Sequence, residues 1–598
     1  MCVPDTCSGS DVYGLLKLDA LESAKMMVRQ ADCMVESDIT HDLAAFLTLI
    51  LLGAFVVLVL CSTIFVFLEN RSVFSDNKET VNLESASNNP VMKEFKIGDD
   101  NSVKTNEGII PVQSLGCDKS VSHLTPQNGG EHQTDVSKDA NSTGDGLPNL
   151  PHSVEQPRKM KYGVLSKIAK AFALQLNIPK IVSGKTGPNS IGCIHGIRFF
   201  TITWVMLCHT YVYLVMTFPN VWSLENPLNY IEMTHNFSFQ IILGGTSAVD
   251  TFFMLSGMML SYTQLKNLQT LKTKLTGRNV GGYVFHYFFH RLWRLTPIYM
   301  ITILMFATVS EYMKSGPLMP TSFPYIENCK ESWWTNLLYV NNLVMTDKPC
   351  GGWSWYLAND MQFYTVSLLI LFMMIFKMPV AILTSLTLMA GGMAYTVYKQ
   401  YHTKGSLISG ASSFQEYWSN IYIAPWCRIA AFLVGLLFGI VMNKRPRKSF
   451  SKILNFAGWT TATAVALTLK YSLYDFNRKG GEPWTRWQNA FYEAFDRPVW
   501  ALCVAWVIFS CHNHMGGPVN SILSWKGLVP LSRISYATYL VHYLIMATKN
   551  NTNYDVFHYT VYNMIYLFLG NTVFSFMAAF VTSLIFEAPF IALGKLIL

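Results

Sequence analysis

Long runs of apolar residues recur along the chain and alternate with polar segments. A helix that spans a bilayer needs about 20 consecutive, predominantly apolar residues. We predict membrane-spanning helices at 42–68, 197–216, 240–262, 288–310, 355–376, 378–398, 425–442, 453–473, 497–512, 534–548 and 563–587. The weakest of these runs is 453–473, which is rich in threonine and contains Lys470. The pattern predicts an all-α polytopic integral membrane protein with about eleven transmembrane helices.

Composition supports a membrane protein. Of the 598 residues, 51% are hydrophobic and 14% are charged, whereas a soluble globular chain averages about 25% charged residues. The first residues, MCVPDTCSGSDV, lack the apolar region of a signal peptide. We therefore expect the chain to begin inside a longer protein. No nucleic-acid partner is predicted.

Composition also divides the chain into five parts. Residues 1–41 are interpreted as the C-terminal end of a luminal cysteine-rich domain, and 42–68 as the first transmembrane helix. Residues 69–157 are polar and poor in aromatics, which is typical of a disordered cytosolic linker. Residues 158–196 form a basic juxtamembrane segment with an amphipathic helix suited to a membrane surface. Residues 197–598 are predicted to form a ten-helix membrane domain.

The distribution of lysine and arginine predicts the orientation. The segments 156–198, 266–278 and 443–452 are basic, whereas 217–238 contains no base. Because cytosolic loops carry the excess of Lys and Arg, we expect a luminal or extracellular N-terminus and a cytosolic C-terminus. The endoplasmic reticulum and the plasma membrane are both consistent with this topology.

Predicted luminal loops contain two kinds of modification site. The sequons at Asn236 and Asn550 are predicted glycosylation sites, whereas that at Asn141 lies in the cytosolic linker and should stay unmodified. Cys329 and Cys350 share one luminal loop, where an oxidising compartment permits a disulfide. The alternative is two free thiols.

Two ionisable residues share the second apolar run. Arg198 and His209 are eleven residues apart, so they lie on one helix face, separated by a rise of about 16 Å. Arg198 could be an ordinary cytosolic anchor, and His209 could form an interhelical hydrogen bond. A functional pair, with Arg198 at the cytosolic mouth and His209 near mid-membrane, is the other interpretation.

The next apolar runs add further candidates. Asp250 lies at the predicted depth of His209 and could orient its imidazole. Ser256 and Gly257 could be close-packing residues, or Ser256 could be an acylated nucleophile, although no Gly-x-Ser-x-Gly elbow surrounds it. Arg291 and Arg294 lie on one face at the cytosolic end of their helix. They suit either interfacial anchoring or bidentate phosphate binding.

Five motifs occur in a fixed order: Arg-x10-His at 198–209, VDTFFMLSG at 249–257, Arg-x-x-Arg at 291–294, RISYATYLVH at 533–542 and EAPF at 587–590. Together they resemble membrane acyltransferase family three. The segments CVPDTC, WYLANDMQFY (355–364) and IYIAPWCRIAAFLVG (421–435) resemble the animal branch named nose resistant to fluoxetine. That branch has a luminal cysteine-rich domain before its first span.

The resemblance implies transfer of an acyl group from a cytosolic acyl-CoA to a hydroxyl of a lipid or other acceptor. It implies that Arg198 and His209 are essential. The other motif positions are Asp250, Ser256, Arg291, Arg294, Tyr536 and His542. Acyl-CoA is then a donor substrate, and neither a bound cofactor nor a metal is predicted.

We interpret His209 as the general base on the acceptor hydroxyl, with an acyl-imidazole intermediate as the variant mechanism. Asp250 would orient His209, and the three arginines would hold the donor phosphates. Two rivals are a proton-coupled carrier, with Asp360 and His542 joining a relay, and a non-catalytic lipid-handling protein on the same scaffold. The acceptor, the acyl chain length and the oligomeric state do not follow from the sequence.

Overall fold

The protein is described by a computed structural model. The described residues are 39, 42–87, 163–187, 190–216, 224–273, 277–313, 324–403, 411–444, 450–482, 484–550, 552 and 555–597. Within them the secondary structure is helical, and pairing between extended segments is limited to one bridge between Leu224 and Phe557. The all-α fold class is confirmed. The predicted cysteine-rich segment and most of the predicted linker lie outside the described residues.

The helices are numbered in chain order. They are α1 (Leu43–Ser87), α2 (Val164–Phe172), α3 (Leu174–Val182), α4 (Cys193–Met216), α5 (Pro227–Thr234), α6 (Gln240–Leu243), α7 (Thr246–Thr273), α8 (Gly277–Thr308), α9 (Pro324–Leu337), α10 (Trp355–Phe376), α11 (Met378–His402), α12 (Ala411–Tyr417), α13 (Pro425–Lys444), α14 (Lys452–Tyr471), α15 (Tyr474–Asn477), α16 (Arg486–His512), α17 (Gly517–Leu523), α18 (Leu528–Arg533), α19 (Ser535–Asn550), α20 (Val561–Thr582) and α21 (Ala588–Ile597). A π-helical turn, Ser583–Glu587, joins α20 to α21.

Six helices among the described residues are long and apolar enough to cross a membrane: Leu43–Arg71, Gly352–Phe376, Met378–His402, Pro425–Lys444, Arg486–His512 and Val561–Ile597. A seventh span results if Phe237–Leu243 and Thr246–Thr270, bent by 41°, are counted together. The predicted number of about eleven is not confirmed. One reason is that α19 has only 16 residues, which is shorter than the roughly 20 that a span requires.

The first helix is longer than its apolar run. It continues to Ser87, into the stretch that the sequence assigns to the linker. The predicted amphipathic segment forms two short helices, α2 and α3, which are separated by extended backbone at Ala173. Phe172 of α2 is buried in a small apolar cluster with Val59 of α1 and Leu593 of α21. The juxtamembrane segment is therefore packed against the first and last helices.

The closest helix packing joins α7 to α13 through glycines. A Cβ atom on Gly257 would lie 2.2 Å from the carbonyl oxygen of Phe432, and one on Gly435 would lie 2.0 Å from that of Met254. Real Cβ atoms do not approach a carbonyl oxygen this closely, so both positions require glycine. Gly435 and Gly439 form the small-xxx-small spacing typical of membrane helix contacts. The close-packing interpretation of Gly257 agrees with this geometry.

The loop that follows α9 carries a covalent link. Cys329 and Cys350 form the predicted disulfide, and both are buried. Gly351, directly after this bridge, has a φ of +65°, a left-handed conformation that glycine adopts without strain. The bridge and the turn lead the chain into α10, which supplies one wall of the candidate site.

Candidate active site

A cavity with a volume of about 800 Å³ opens between α2, α3, α4, α7, α8, α10, α18, α19 and α21. Five of the residues proposed from the sequence line it: Arg198, Ser256, Arg291, Arg294 and Tyr536. They come from four different helices, so the fold brings together motifs that are widely separated in the chain. The volume lies in the range of small-molecule binding sites.

Arg291 is neutralised within the cavity wall. Its guanidinium forms an ion pair with Asp360, whose other carboxylate oxygen accepts a hydrogen bond of 2.7 Å from the Ser256 hydroxyl. The guanidinium carbon also lies 4.1 Å from the ring centroid of Tyr364, a cation–π geometry. Because Arg291 is paired and stacked, it is a wall residue here. The Ser256 hydroxyl therefore donates to the Asp360 carboxylate. Among the described residues, no histidine is hydrogen-bonded to it.

Arg198 and Arg294 differ from Arg291 in having no counter-ion. Neither takes part in a hydrogen bond or an ion pair with another described residue, and their two positive charges repel each other. Arg198 is half-buried and Arg294 is exposed. Glu587 interacts electrostatically with Arg294 without forming an ion pair, and its buried carboxyl group accepts a hydrogen bond from Ser583.

Positive charge dominates the whole cavity. Eight basic residues line it, against the two acidic residues Asp360 and Glu587. The basic residues are Lys167, Lys170, Lys180, Arg198, Arg291, Arg294, Arg533 and Lys595. Since Asp360 already neutralises Arg291, the remaining excess of charge favours an anionic ligand.

His209 is paired with a second histidine from α19. Its Nδ1 lies 2.8 Å from Nε2 of His542, and the two rings are nearly parallel. Nδ1 of His542 lies 2.7 Å from the carbonyl oxygen of Tyr539. Because a carbonyl can only accept, neutral His542 donates from Nδ1 and accepts at Nε2. His209 then donates from Nδ1 and retains a lone pair on Nε2.

The histidine pair lies next to the cavity without lining it. Tyr539 connects the two regions: it lines the cavity, and its ring centroid is 5.8 Å from that of His542. The Tyr539 hydroxyl donates to the carbonyl of Trp353, which fixes the ring. Tyr536, one turn earlier, donates to the carbonyl of Leu295 at 2.9 Å and so joins α19 to α8.

The structure gives Asp250 a different partner from the one expected. Its Oδ2 lies 2.8 Å from Nη1 of Arg428, and both side chains are about 1% exposed. The guanidinium carbon of Arg428 lies 4.5 Å from the Tyr422 ring centroid. The expectation that Asp250 orients His209 therefore needs correction, because a buried guanidinium holds this carboxylate and the partner of His209 is His542.

The two predicted glycosylation sites differ in their exposure to solvent. Asn236 is exposed, whereas Asn550 is only 5% exposed at the end of α19. A glycan on an asparagine amide needs solvent around that amide. Exposure to solvent therefore favours Asn236 over Asn550, and glycosylation of either asparagine stays a prediction.

Several residues of the site escaped the sequence reasoning. Asp360 entered it only as a relay candidate, and Tyr364, Tyr539 and Arg428 were not singled out. The available signal was a charged residue inside an apolar run, since such residues are rare and have partners. Asp360 and Arg428 both meet that criterion, whereas Tyr364 and Tyr539 lie in the segments WYLANDMQFY and RISYATYLVH but carry no charge that predicts a partner.

Known proteins are similar to this chain over most of its length. The profile of membrane acyltransferase family three, described as an acyltransferase domain, matches residues 191–588. "Nose resistant to fluoxetine protein 6" of Caenorhabditis elegans is 31% identical over 450 residues, 71% of this chain and 53% of that protein. "Regulator of hypoxia-inducible factor 1" of the same organism is 24% identical over 434 residues, 66% of this chain and 78% of that protein.

The chain thus spans about half the length of the first of these relatives. No solved structure matches it. The family match includes all five motifs up to Ala588, and the 31% identity confirms the resemblance to the nose-resistant-to-fluoxetine branch. Since the match extends over most of the helical bundle and over the cavity residues of α4, α7, α8, α10 and α19, the chain belongs to membrane acyltransferase family three.

Proposed function

We propose that the protein is a membrane-embedded O-acyltransferase. It transfers an acyl group from a cytosolic acyl-CoA to a hydroxyl of a lipid or another acceptor, with His209 as general base. Membership of an acyltransferase family supports the reaction class. The cationic cavity supports an anionic donor and the histidine pair supports the base, whereas the acceptor class is implied by the family resemblance.

One observation carries the proposal: the cavity presents Arg198 and Arg294 without counter-ions, and Arg198 shares α4 with His209. Uncompensated guanidiniums are matched to phosphate, which they bind bidentately. The rise of about 16 Å from Arg198 to His209 separates a phosphate-binding end from a reaction end. An acyl-CoA has this arrangement, since its phosphates and its thioester lie at opposite ends of a long arm.

The chemistry follows from the hydrogen bonds of His209. Nε2 removes the proton from the acceptor hydroxyl as that oxygen attacks the thioester carbonyl. The tetrahedral intermediate collapses, the carbon–sulfur bond breaks, and the thiolate leaves with the proton returned by His209. His542 accepts a hydrogen bond from Nδ1 throughout, which fixes the ring and disperses the positive charge of the imidazolium.

The proposal includes the topology predicted from the charged loops. It places the N-terminus in the lumen or outside the cell, the C-terminus and the cavity mouth in the cytosol, and about eleven spans between them. This arrangement puts Arg198, Arg294 and the lysines of the cavity on the side where acyl-CoA is available.

A proton-coupled carrier is less well supported by the geometry. Its relay requires His209, His542, Asp250 and Asp360 to exchange protons. Among the described residues, the two histidines bond to each other, while each carboxylate is neutralised by an arginine, Asp250 by Arg428 and Asp360 by Arg291. Neither carboxylate is hydrogen-bonded to either histidine in the described part of the chain, so hydrogen bonds do not join the four groups into a continuous relay.

The first test uses purified full-length protein in micelles with a series of acyl-CoA chain lengths and a lipid extract as acceptor. We expect thiol release and a new acylated product in mass spectrometry. His209→Gln should bind the donor as the parent does but lose about 10²- to 10⁴-fold in transfer. A folded His209→Gln protein that keeps more than about a tenth of the parental rate would lie outside this range and return His209 to an interhelical hydrogen bond.

A further inference from the structure

Part of the cavity wall comes from outside the region that the family shares. The family match begins at residue 191, yet α2 and α3 precede it and line the cavity with Asn177, Lys180 and Ile181 among others. Lys595 of α21, beyond the end of the match at 588, lines the same cavity. The outer part of the cavity is therefore built by segments that lie outside the family match.

These segments are held firmly in place. Arg533 donates hydrogen bonds to the carbonyl oxygens of Lys180 at 2.6 Å and of Ser183 and Lys185 at 2.5 Å. An arginine at the C-terminus of a helix satisfies carbonyls that lack partners within the helix. Arg533 is therefore occupied with α3, although it also lines the cavity. The ion pair of 3.0 Å between Lys170 and Glu69 attaches α2 to α1.

Lys180 and Lys595 form a pair of exposed cations in the cavity lining, and Lys167 of α2 is a further exposed cation there. Neither Lys180 nor Lys595 has an acidic partner among the described residues, and their charges repel each other. Desolvation by burial and the charge of Lys595 lower the pKa of the Lys180 ammonium group. The Lys180 ammonium is oriented by the side-chain oxygen of Asn177 at 3.2 Å, and Asn177 itself is buried and bonded to the carbonyl of Ala171. An anion between the two lysines would relieve this repulsion.

The cavity thus contains two separate groups of uncompensated cations. The inner group is Arg198 and Arg294, on α4 and α8, and the outer group is the pair Lys180 and Lys595, with Lys167 of α2 also lining the cavity. An acyl-CoA carries two separate phosphate groups, a pyrophosphate in its arm and a monophosphate on its ribose. Guanidiniums favour bidentate contacts, whereas lysines act as point charges towards a phosphate.

We infer, on the basis of the proposed function, that Lys180 and Lys595 form a second phosphate subsite that binds the ribose 3′-phosphate of the donor. Arg198 and Arg294 bind the pyrophosphate. The juxtamembrane segment is then part of the donor site and sets the selectivity for the phosphorylated nucleotide.

The experiment compares CoA with 3′-dephospho-CoA, which differs only in this phosphate. Binding of each to the purified full-length protein is measured by calorimetry for the parent, Lys180→Ala/Lys595→Ala and Lys185→Ala. The parent should bind CoA about tenfold more tightly than 3′-dephospho-CoA, the size expected for one charge-assisted contact. The double variant should bind both ligands equally, and Lys180→Arg/Lys595→Arg should retain the preference. Lys185→Ala, in the same segment but outside the cavity lining, is the matched control and should behave as the parent does.

A double alanine variant that keeps the full preference for CoA would overturn the subsite while leaving the proposed function intact. Failure of the proposed function has a different signature, because the parent would then bind neither ligand. Anionic lipid headgroups carry the same phosphate chemistry, so the titrations are repeated with phosphatidic acid in the micelles. Lysine-dependent binding of phosphatidic acid, together with equal affinity of the parent for the two nucleotides, would assign the subsite to lipid and contradict the inference.

Discussion

At the scale of single residues, the three cavity arginines have different environments. Arg294 has no counter-ion among the described residues, whereas Arg291 is paired with Asp360 and stacked on Tyr364. From the sequence, Arg291 and Arg294 cannot be told apart, because their spacing of three residues predicts the same helix face for both. Only the position of α10 distinguishes them.

This difference gives a paired prediction for donor binding. Arg294→Lys keeps the charge but loses the planar fork, so donor affinity should fall about tenfold. Arg291→Lys should change it little, because Arg291 serves Asp360. Calorimetry with a non-hydrolysable acyl-CoA analogue measures both. Equal losses in the two variants would show that Arg291 also contacts the donor.

The histidine pair gives a second residue-scale prediction. His542→Leu leaves Nδ1–H of His209 without an acceptor, and an unpaired buried donor costs about 1–3 kcal/mol. We expect kcat to fall about 10- to 100-fold with an unchanged donor KM. His542→Gln, which offers an acceptor of similar reach, should recover most of the rate. A variant series in which KM rises and kcat holds would instead place His542 in donor binding.

What the sequence revealed about this site has a physical limit. Arg198 and His209 share one helix, so the helical period predicts their common face. His209 and His542 are 333 residues apart in the chain, and no local pattern reports such a contact. The same limit explains the error over Asp250: equal depth in the membrane does not determine which neighbouring helix a side chain faces.

At the scale of helices, the glycine contact between α7 and α13 holds the cavity wall. Ser256 and Gly257 are adjacent on α7, so the residue that hydrogen-bonds Asp360 is followed directly by the one that touches Phe432. Helix separation at Gly257 would therefore move Ser256 relative to Asp360. The close contact between α7 and α13 thus helps to hold the Ser256 hydroxyl within hydrogen-bonding distance of Asp360.

Gly435→Ala tests this contact. Its new Cβ would lie 2.0 Å from the carbonyl oxygen of Met254, which forces the helices apart and should cost about 1–3 kcal/mol. The thermal midpoint in detergent should fall. Gly391→Ala on α11 is the matched control, since nothing lies within 4 Å of its added Cβ, and it should be neutral or slightly stabilising because alanine favours helices. Identical midpoints for the two variants would contradict the packing argument.

The apolar runs predicted the positions of the helices better than they predicted the number of membrane-spanning helices. Apolar runs identified the helical segments, because a buried or lipid-facing helix is apolar throughout. They did not separate 240–262 into two helices bent by 41°, since a bend depends on what packs against it. Nor did the apolar run of α1 indicate its continuation to Ser87, which lies in a polar stretch.

At the scale of the whole molecule, the order of the helices predicts on which side of the membrane Asn236, the disulfide and the basic stretch 266–278 lie. Asn236 precedes α7, and the basic stretch 266–278 lies at its other end. From there α8 leads back towards the loop that contains the disulfide Cys329–Cys350. If each of these helices crosses once, Asn236 and the disulfide share a side, opposite the basic stretch. An oxidising lumen suits both the disulfide and the glycan.

The last prediction tests this orientation by glycosylation in microsomes. Glycosidase should increase the mobility of the parent on a gel, and Asn236→Gln should abolish the shift. Asn550→Gln should leave it unchanged, because Asn550 is buried, and Asn141→Gln should also leave it unchanged, because the positive-inside rule puts its segment in the cytosol. As a second reporter, a sequon inserted into 443–452 should remain unmodified. A shift that disappears with Asn141→Gln alone, or a glycan on the inserted sequon, would reverse the topology. It would then place the cationic cavity on the luminal side, away from cytosolic acyl-CoA, so the proposed donor would fall together with the orientation.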